Sequence, residues 1–395
     1  MEYQKHQKTV DLFLDMVQTD SPSFAESAMC DYIEKYIAAH RWDCKIDRQQ
    51  LDIGTLPPSE TARLAPHEKT AKTEQLIVVI PANDESKDPI YLSSHIDTVE
   101  PGKGIRPVLR DDKIYSEGET ILGADDKAGV ASILEAVDEV LQKNLPHGKL
   151  VLAFTALEER GLFGAKMSNL ASYGVKYGYV FDAAGPVGGI TARSQYNKNF
   201  RINIKVKDIP THAHSFLVPN ALTVAGRMIA KLPIGCWNDK DYTFFQVVRM
   251  STSSQPGYGV PDGVMLIGIA RSFLPEELSL LTEQVKRIAE SFNSEKVEVT
   301  VGITPKVMDG YDITRTEVGK LMLEKSTAAM KAVGLEPNVV MDGLGGSDAS
   351  AFMQQGVPSV CLSCGMEEMH CTNEWIRVKD LHLMTEVILQ LIAMA

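Results

Sequence analysis

The chain has 395 residues, with 40 Lys and Arg against 52 Asp and Glu for a formal net charge of −12, and it is 44% hydrophobic and 23% charged. That length allows two domains or three, and the composition excludes collagen, wholesale disorder and a coiled coil. The acidic balance offers no basic surface to a nucleic-acid backbone or an anionic membrane, so neither partner is expected.

The N-terminal stretch MEYQKHQKTVDLFLDMV mixes charges into its apolar positions, unlike a secretory signal. No apolar run approaches the roughly 20 residues that span a bilayer. Six cysteines in a chain this long are too sparse for a disulfide framework, and a cytoplasmic location is expected. Strands are predicted at EQLIVVIPA (74–82), PIYLSSHI (89–96), KLVLAFTA (149–156) and GYVFDA (178–183). Between the second and third, 125–143 carries an apolar stripe at helical spacing, with Asp125 and Asp126 at its N-terminal edge where carboxylates cap free N–H groups. Strands alternating with helices predict a mostly parallel α/β domain.

From residue 196 the order changes to strand (199–207), helix (220–232), two strands (242–251 and 264–273), helix (275–292) and strand (296–303). That β-α-β-β-α-β order is a split βαβ, ferredoxin-like α+β unit. The α/β pattern resumes with a helix near Glu317 to Val333, a strand at SVCLSC and a helix from Lys379. The expected organisation is a discontinuous domain of residues 1–195 and 305–395 with an inserted domain of 196–304.

His95 and Asp97, two apart at the end of an apolar strand, project to one side, and open α/β sheets place their sites at such carboxyl ends. Alone, the pair is better read as a His and Asp that satisfy each other. Asp125 is accounted for as a cap, and the adjacent Glu158 and Glu159 as a solvated pair on a loop. Asp182 and His370 again follow strands. Five such sites at successive strand ends supply the His, Asp and Glu donors of a paired divalent metal centre. Cys361, Cys364 and Cys371 are expected to be core or loop thiols, since no second such pair completes a thiolate site.

The ordered motifs HIDTV, GADDKAG, ALEERGLFGAK, VFDAAG, GGSDAS and MHCTNEWI resemble the M20 family of co-catalytic zinc metallopeptidases, most closely its peptidase T (tripeptide aminopeptidase) branch. The resemblance implies that Asp125 bridges two zinc ions, that His95 and Asp182 complete one and Glu159 and His370 the other, that Asp97 orients His95, and that Glu158 is the general base. It also implies a lid and dimerisation role for the inserted domain, whose His212 would polarise the substrate carbonyl, and a substrate contact for Arg271. His214 stands where the family has glycine, and Ser350 where it usually has asparagine. Manganese or cobalt could occupy the same oxygen and imidazole donors. The expected function is hydrolysis of an amide bond in a short peptide, with aminopeptidase action on tripeptides leading. A carboxypeptidase or N-acyl-amino-acid deacylase of the same family, and a scaffold that has lost catalysis, stand as alternatives.

Overall fold

The structure is a computed structural model that describes residues 7–58, 60–61, 64–207, 219–238, 242–252, 261–304, 310–343 and 345–395. Its contacts divide into two compact units, one of Met1–Leu56, Arg63–Ser194 and Tyr311–Ala395, the other of Pro57–Ala62 and Gln195–Gly310.

The first unit begins with α1 (Gln7–Val17), α2 (Ser27–His40), β1 (Lys45–Asp52), β2 (Lys72–Ile80) and β3 (Ile90–His95). The hairpin β4 (Pro107–Arg110) and β5 (Lys113–Ser116), α3 (Ala124–Gln142), β6 (Leu150–Thr155), α4 (Phe163–Met167), β7 (Tyr177–Ala183), β8 (Gly189–Thr191) and β9 (Arg193–Ser194) follow. The second unit holds β10 (Tyr196–Val206), α5 (Ala221–Ile229), β11 (Gly235–Asn238), β12 (Thr243–Thr252), β13 (Gly263–Ser272), α6 (Pro275–Glu290) and β14 (Val297–Thr304). The chain returns with β15 (Tyr311–Asp312), α7 (Glu317–Ala332), β16 (Asn338–Val340), α8 (Asp348–Gln354), β17 (Ser359–Ser363), β18 (Met366–Glu367), β19 (Trp375–Arg377) and α9 (Val378–Met394).

The large sheet runs β1-β2-β6-β3-β7-β17-β8-β16. Its four middle strands, β6, β3, β7 and β17, are adjacent and mutually parallel. Every residue of β3 and β6 is buried, which is why these strands read as unbroken apolar runs rather than alternating ones. The flanks differ from the parallel expectation. Strand β2 runs antiparallel to both β1 and β6, and β17 antiparallel to β8, so the sheet is mixed with a parallel centre. Strands β18, β19, β5 and β4 form a separate small sheet that the sequence reading did not anticipate.

In the second unit the sheet order is β11-β12-β13-β10-β14. Strand β10 lies between β13 and β14, antiparallel to each, as a split βαβ unit requires, and β11 adds one edge strand. Along β10, Phe200, Ile202 and Ile204 are buried while Arg201 and Lys205 are exposed. This period of two points one face at the helices, where Ala225 and Met228 of α5 and Leu281 and Val285 of α6 close the core.

Helix α3 decides where the site forms. It packs against β3, α1 and α9, and its residues Ala128 to Ala136 are all buried. Gly129 lets its first turn come against the strands: a Cβ there would stand 2.6 Å from the Phe181 carbonyl oxygen and 2.7 Å from Ser94 Oγ. Gly129→Ala is therefore expected to destabilise the metal-free protein by about 1–3 kcal/mol, the usual cost of overpacking. Urea unfolding measures this, and a loss within roughly 0.5 kcal/mol of zero, typical of an unconstrained surface change, would show that the approach is not tight.

Candidate active site

The four parallel strands carry chemistry to one end of the sheet. His95 is the last residue of β3. Glu158 and Glu159 follow β6, and His370 lies in the segment between β18 and β19. Asp182 is placed by an irregularity: Phe181 pairs with Leu362 and Ala183 with Ser363, so Asp182 is the unpaired residue of a bulge, a device that re-aims a side chain. Asp125 comes from the other direction, at the mouth of α3, next to a cis peptide joining it to Asp126.

Asp125 lies between two imidazoles. Its Oδ1 is 3.0 Å from His95 Nε2, and its Oδ2 is 2.9 Å from His370 Nε2. Each of those nitrogens meets a second carboxylate, Asp182 Oδ1 at 3.6 Å from His95 Nε2 and Glu159 Oε1 at 3.0 Å from His370 Nε2. On the far side of its ring, His95 Nδ1 donates to the Asp97 carbonyl oxygen at 2.9 Å. That bond fixes the tautomer, so in the neutral ring the Nε2 lone pair points at two carboxylate oxygens. Only a proton or a cation between them removes the repulsion. Three sets of side chains in this region could hold a metal ion: His95, Asp125 and Asp182; Asp125, Glu159 and His370; and His95, Glu158 and Glu159, the ligand atoms in each lying within 4.8 Å of one another. Among the described residues no cysteine joins such a set, and Cys361 and Cys364 are buried core thiols.

The proton affinities follow from this crowding. Burial pushes Asp182 up to about 7, against the pull of His95. Glu158 is raised well above the carboxylate range by burial and then by Asp182, and Glu159 is raised by burial. Burial opposes the charged form of His95, but its contacts with Asp125, Asp182 and Asp97 outweigh this and raise it well above 6.5. Asp125 and Glu159 lift His370 to about 10. Asp125 alone moves down, because the two imidazoles overcome its burial. Two further buried acids adjoin the cluster. Asp126 accepts from Ser94 Oγ at 2.5 Å and Asp348 from Thr155 Oγ1 at 2.5 Å, and each keeps one buried oxygen with no hydrogen-bond partner. Excess buried carboxylate, orphaned oxygens and imidazole nitrogens facing them form a donor set suited to hard or borderline divalent cations.

The surrounding hydrogen bonds hold these groups from behind. Asp97 Oδ1 accepts from the Glu158 N–H at 2.9 Å and its Oδ2 from Ser23 Oγ at 2.7 Å, while Oδ1 is 3.5 Å from His95 Nδ1. Its carboxylate thus fixes the Glu158 backbone as well as facing His95, a second task that the sequence reading did not assign. Glu26, wholly buried, accepts from the N–H groups of Phe24 at 3.1 Å and Leu157 at 3.2 Å and bonds Thr73 Oγ1. Beside Glu159 opens a cavity of about 510 Å³ lined by Ser23, Phe24, His67, Thr98, Glu100 and Arg160 among others.

The seven positions singled out in the first unit, His95, Asp97, Asp125, Glu158, Glu159, Asp182 and His370, thus come together. Arg271 lies in β13 of the second unit, where Leu266 and Ala270 face the core and Arg271 alternates to the other side. His212 and His214 fall outside the described residues. Sequence reasoning missed Glu374 and Glu26 and gave Asp348 no contact. For Glu374 a signal was present, since it stands four residues after His370 in the last motif.

A mixed α/β sheet whose parallel strands deliver His95 and several acids, with His370 brought by the segment between β18 and β19, surrounds Asp125 with the donor set of a metal-dependent hydrolase. The chain matches the profile of Peptidase family M20/M25/M40 over residues 91–394, and it belongs to that family. It is similar to the aminopeptidase PepT of Bacillus cereus ATCC 10987 (30% identity, TM-score 0.85, 98% of each chain covered). It is also similar to a tripeptidase of Staphylococcus aureus subsp. aureus Mu50 (28%, TM-score 0.82, 98% of each chain). An uncharacterized protein, YqjE, of Bacillus subtilis (strain 168) shares 29% identity over 96% of each chain. The protein is thus an M20 peptidase, a peptide-bond hydrolase close to the peptidase T branch.

Glu26 yields a pH prediction. Burial, and then the charge of Asp97, push its carboxyl up from 4.5 to about 8. A raised carboxyl favours the folded state in its protonated form, so its contribution is complete below about 4.5 and is lost as pH rises toward 8. Glu26→Gln, permanently neutral and nearly isosteric, should gain melting temperature over the parent at pH 8 by more than it does at pH 5. Equal differences at the two pH values would contradict the buried, protonated state.

Proposed function

We propose that the chain is a dinuclear metallo-aminopeptidase that removes the N-terminal residue from short peptides, tripeptides foremost, and that its centre takes two zinc ions. The observation that carries this reading is the position of Asp125, whose two carboxylate oxygens each face the Nε2 of a different histidine at 3.0 and 2.9 Å. Asp125 would bridge, His95 and Asp182 would complete one ion, and Glu159 and His370 the other. A pair of divalent ions held there supplies a water of lowered pKa and polarises the scissile carbonyl. Manganese and cobalt suit the same donors.

The chain's own residues then divide the remaining work. Glu158, whose backbone is held beside the cluster by Asp97, takes the proton of the attacking water and returns it to the leaving amine. Asp97 keeps Glu158 in place through its backbone N–H and steadies the His95 ring. The cavity beside Glu159 is large enough for part of a short peptide, and Glu100 at its wall suits a free ammonium. In the same reading His212 polarises the substrate carbonyl and Arg271 meets the substrate carboxylate with its guanidinium fork.

The aminopeptidase subclass draws support from the likeness to the Bacillus cereus aminopeptidase and the Staphylococcus aureus tripeptidase. A panel of a free-amino tripeptide, a dipeptide, an N-blocked tripeptide and an N-acetyl amino acid tests it, with metal-loaded protein and a chelator control. Cleavage of the free-amino tripeptide alone, abolished by chelation, is expected; preference for the blocked or acylated compounds would move the protein to the carboxypeptidase or deacylase group. In the same assay Glu158→Ala should lose about 10²–10⁴ in turnover, the usual range for a general base, while keeping its metal. Unchanged turnover would remove Glu158 from that role.

A further inference from the structure

We propose that Glu374 is a positioning residue that fixes Asp125 relative to His370, and so sets the affinity of the half of the centre formed by Asp125, Glu159 and His370. The inference rests on the dinuclear reading above. Glu374 is 1% exposed. Its Oε2 accepts from the N–H groups of Leu122 at 2.8 Å and Gly123 at 2.7 Å, and its Oε1 accepts from the N–H of Asp125 at 2.9 Å. These three N–H groups belong to the entry of α3, where Gly123 has a φ of 73° and Asp125 and Asp126 depart from helical geometry. No preceding helical turn exists there to accept them. One carboxylate therefore organises a buried, irregular backbone, and charge-assisted bonds of this kind are the strong ones.

The same short segment touches Asp125 twice. Glu374 holds its backbone, and His370, four residues earlier, meets its side-chain Oδ2 at 2.9 Å. Beyond Glu374 the chain is tied into the small sheet, where Trp375 pairs with Tyr115. His370 itself is half exposed and has a positive φ of 62°. The carboxylate of Glu374 thus ties the segment that carries His370, just before β19, to the entry of α3 that carries Asp125. His95 and Asp182 are carried instead by the ends of the central strands β3 and β7, and His95 is held further by the Asp97 carbonyl oxygen. Because Asp125 also faces His95, loss of this tie should weaken both halves of the centre, and the half that depends on His370 the more.

The test is stepwise cobalt titration of chelator-stripped protein, followed by visible absorption, with Glu374→Gln and Glu374→Asp beside the parent. The amide of Gln would set a donor against one of the three N–H donors, and Asp keeps the charge but falls short by one methylene. In Glu374→Gln one of the two cobalt affinities should fall about tenfold or more, the range seen when partners of metal ligands are removed, while the other falls by a clearly smaller factor and the absorption of the weakened site changes. Both affinities held at parental values, or both lowered by the same factor, would overturn the positioning role, the second result marking Glu374 as general support for the fold. If Glu374→Gln does not fold, Glu374→Asp decides: a smaller split between the two affinities supports the proposal, and parental values overturn it. A parent that binds fewer than two cobalt ions would instead sink the dinuclear reading, together with this inference.

Discussion

The structure is organised around a repulsion that it does not relieve by itself. Asp97, Asp125, Asp126, Glu158, Glu159, Asp182 and Asp348 crowd about two imidazoles, and most of these acids are withdrawn from water. At an effective dielectric near 20, two ionised carboxylates about 4 Å apart repel by about 4 kcal/mol. Full ionisation of the cluster therefore demands compensating positive charge. Protons on His95 and His370 supply part of it, and divalent cations would supply it at fixed positions. The rise in proton affinity of Asp182, Glu158 and Glu159 is the same constraint seen from the acids' side.

A strained electrostatic arrangement of this kind persists only on a rigid support. Two features provide it. The central strands β6, β3, β7 and β17 are parallel, so their carboxyl ends coincide, and their burial fixes His95, Asp182 and the Glu158–Glu159 turn. Helix α3 approaches from the other direction and is held by Gly129 against the strands and by Glu374 at its entry. Asp125 is the point where the two meet, which explains how one carboxylate serves both histidines. The second unit, with its separate hydrophobic core, contributes none of these seven acids or the two histidines.

His95, Asp182 and the Glu158–Glu159 pair were legible in the sequence because each follows a short apolar strand, which is a local signal, whereas Asp125 read as a helix cap and its place between two histidines came only from the family resemblance. The inserted unit was legible for a similar reason, through alternation in β10 and β13 and the amphipathic helices α5 and α6. What escaped was carried by partners remote in the chain. Glu374 bonds N–H groups 249 to 252 residues away, and Glu26 bonds one 131 residues away. No periodicity records such pairings. The direction of β2 was hidden as well, since a buried apolar run reads alike in a parallel or an antiparallel neighbourhood. The Asp182 bulge is set by its register against β17, which the sequence places far downstream.

The measurement that bears most directly on this account is the zinc stoichiometry of chelator-stripped protein, by calorimetry and elemental analysis, for the parent and for His370→Ala and Asp125→Ala. With Asp125 as the shared ligand, the parent should bind two ions per chain, His370→Ala should retain one at near-parental affinity, and Asp125→Ala should lose tight binding of both. A parent that binds one ion or none, or an Asp125→Ala protein that still binds two tightly, would contradict it.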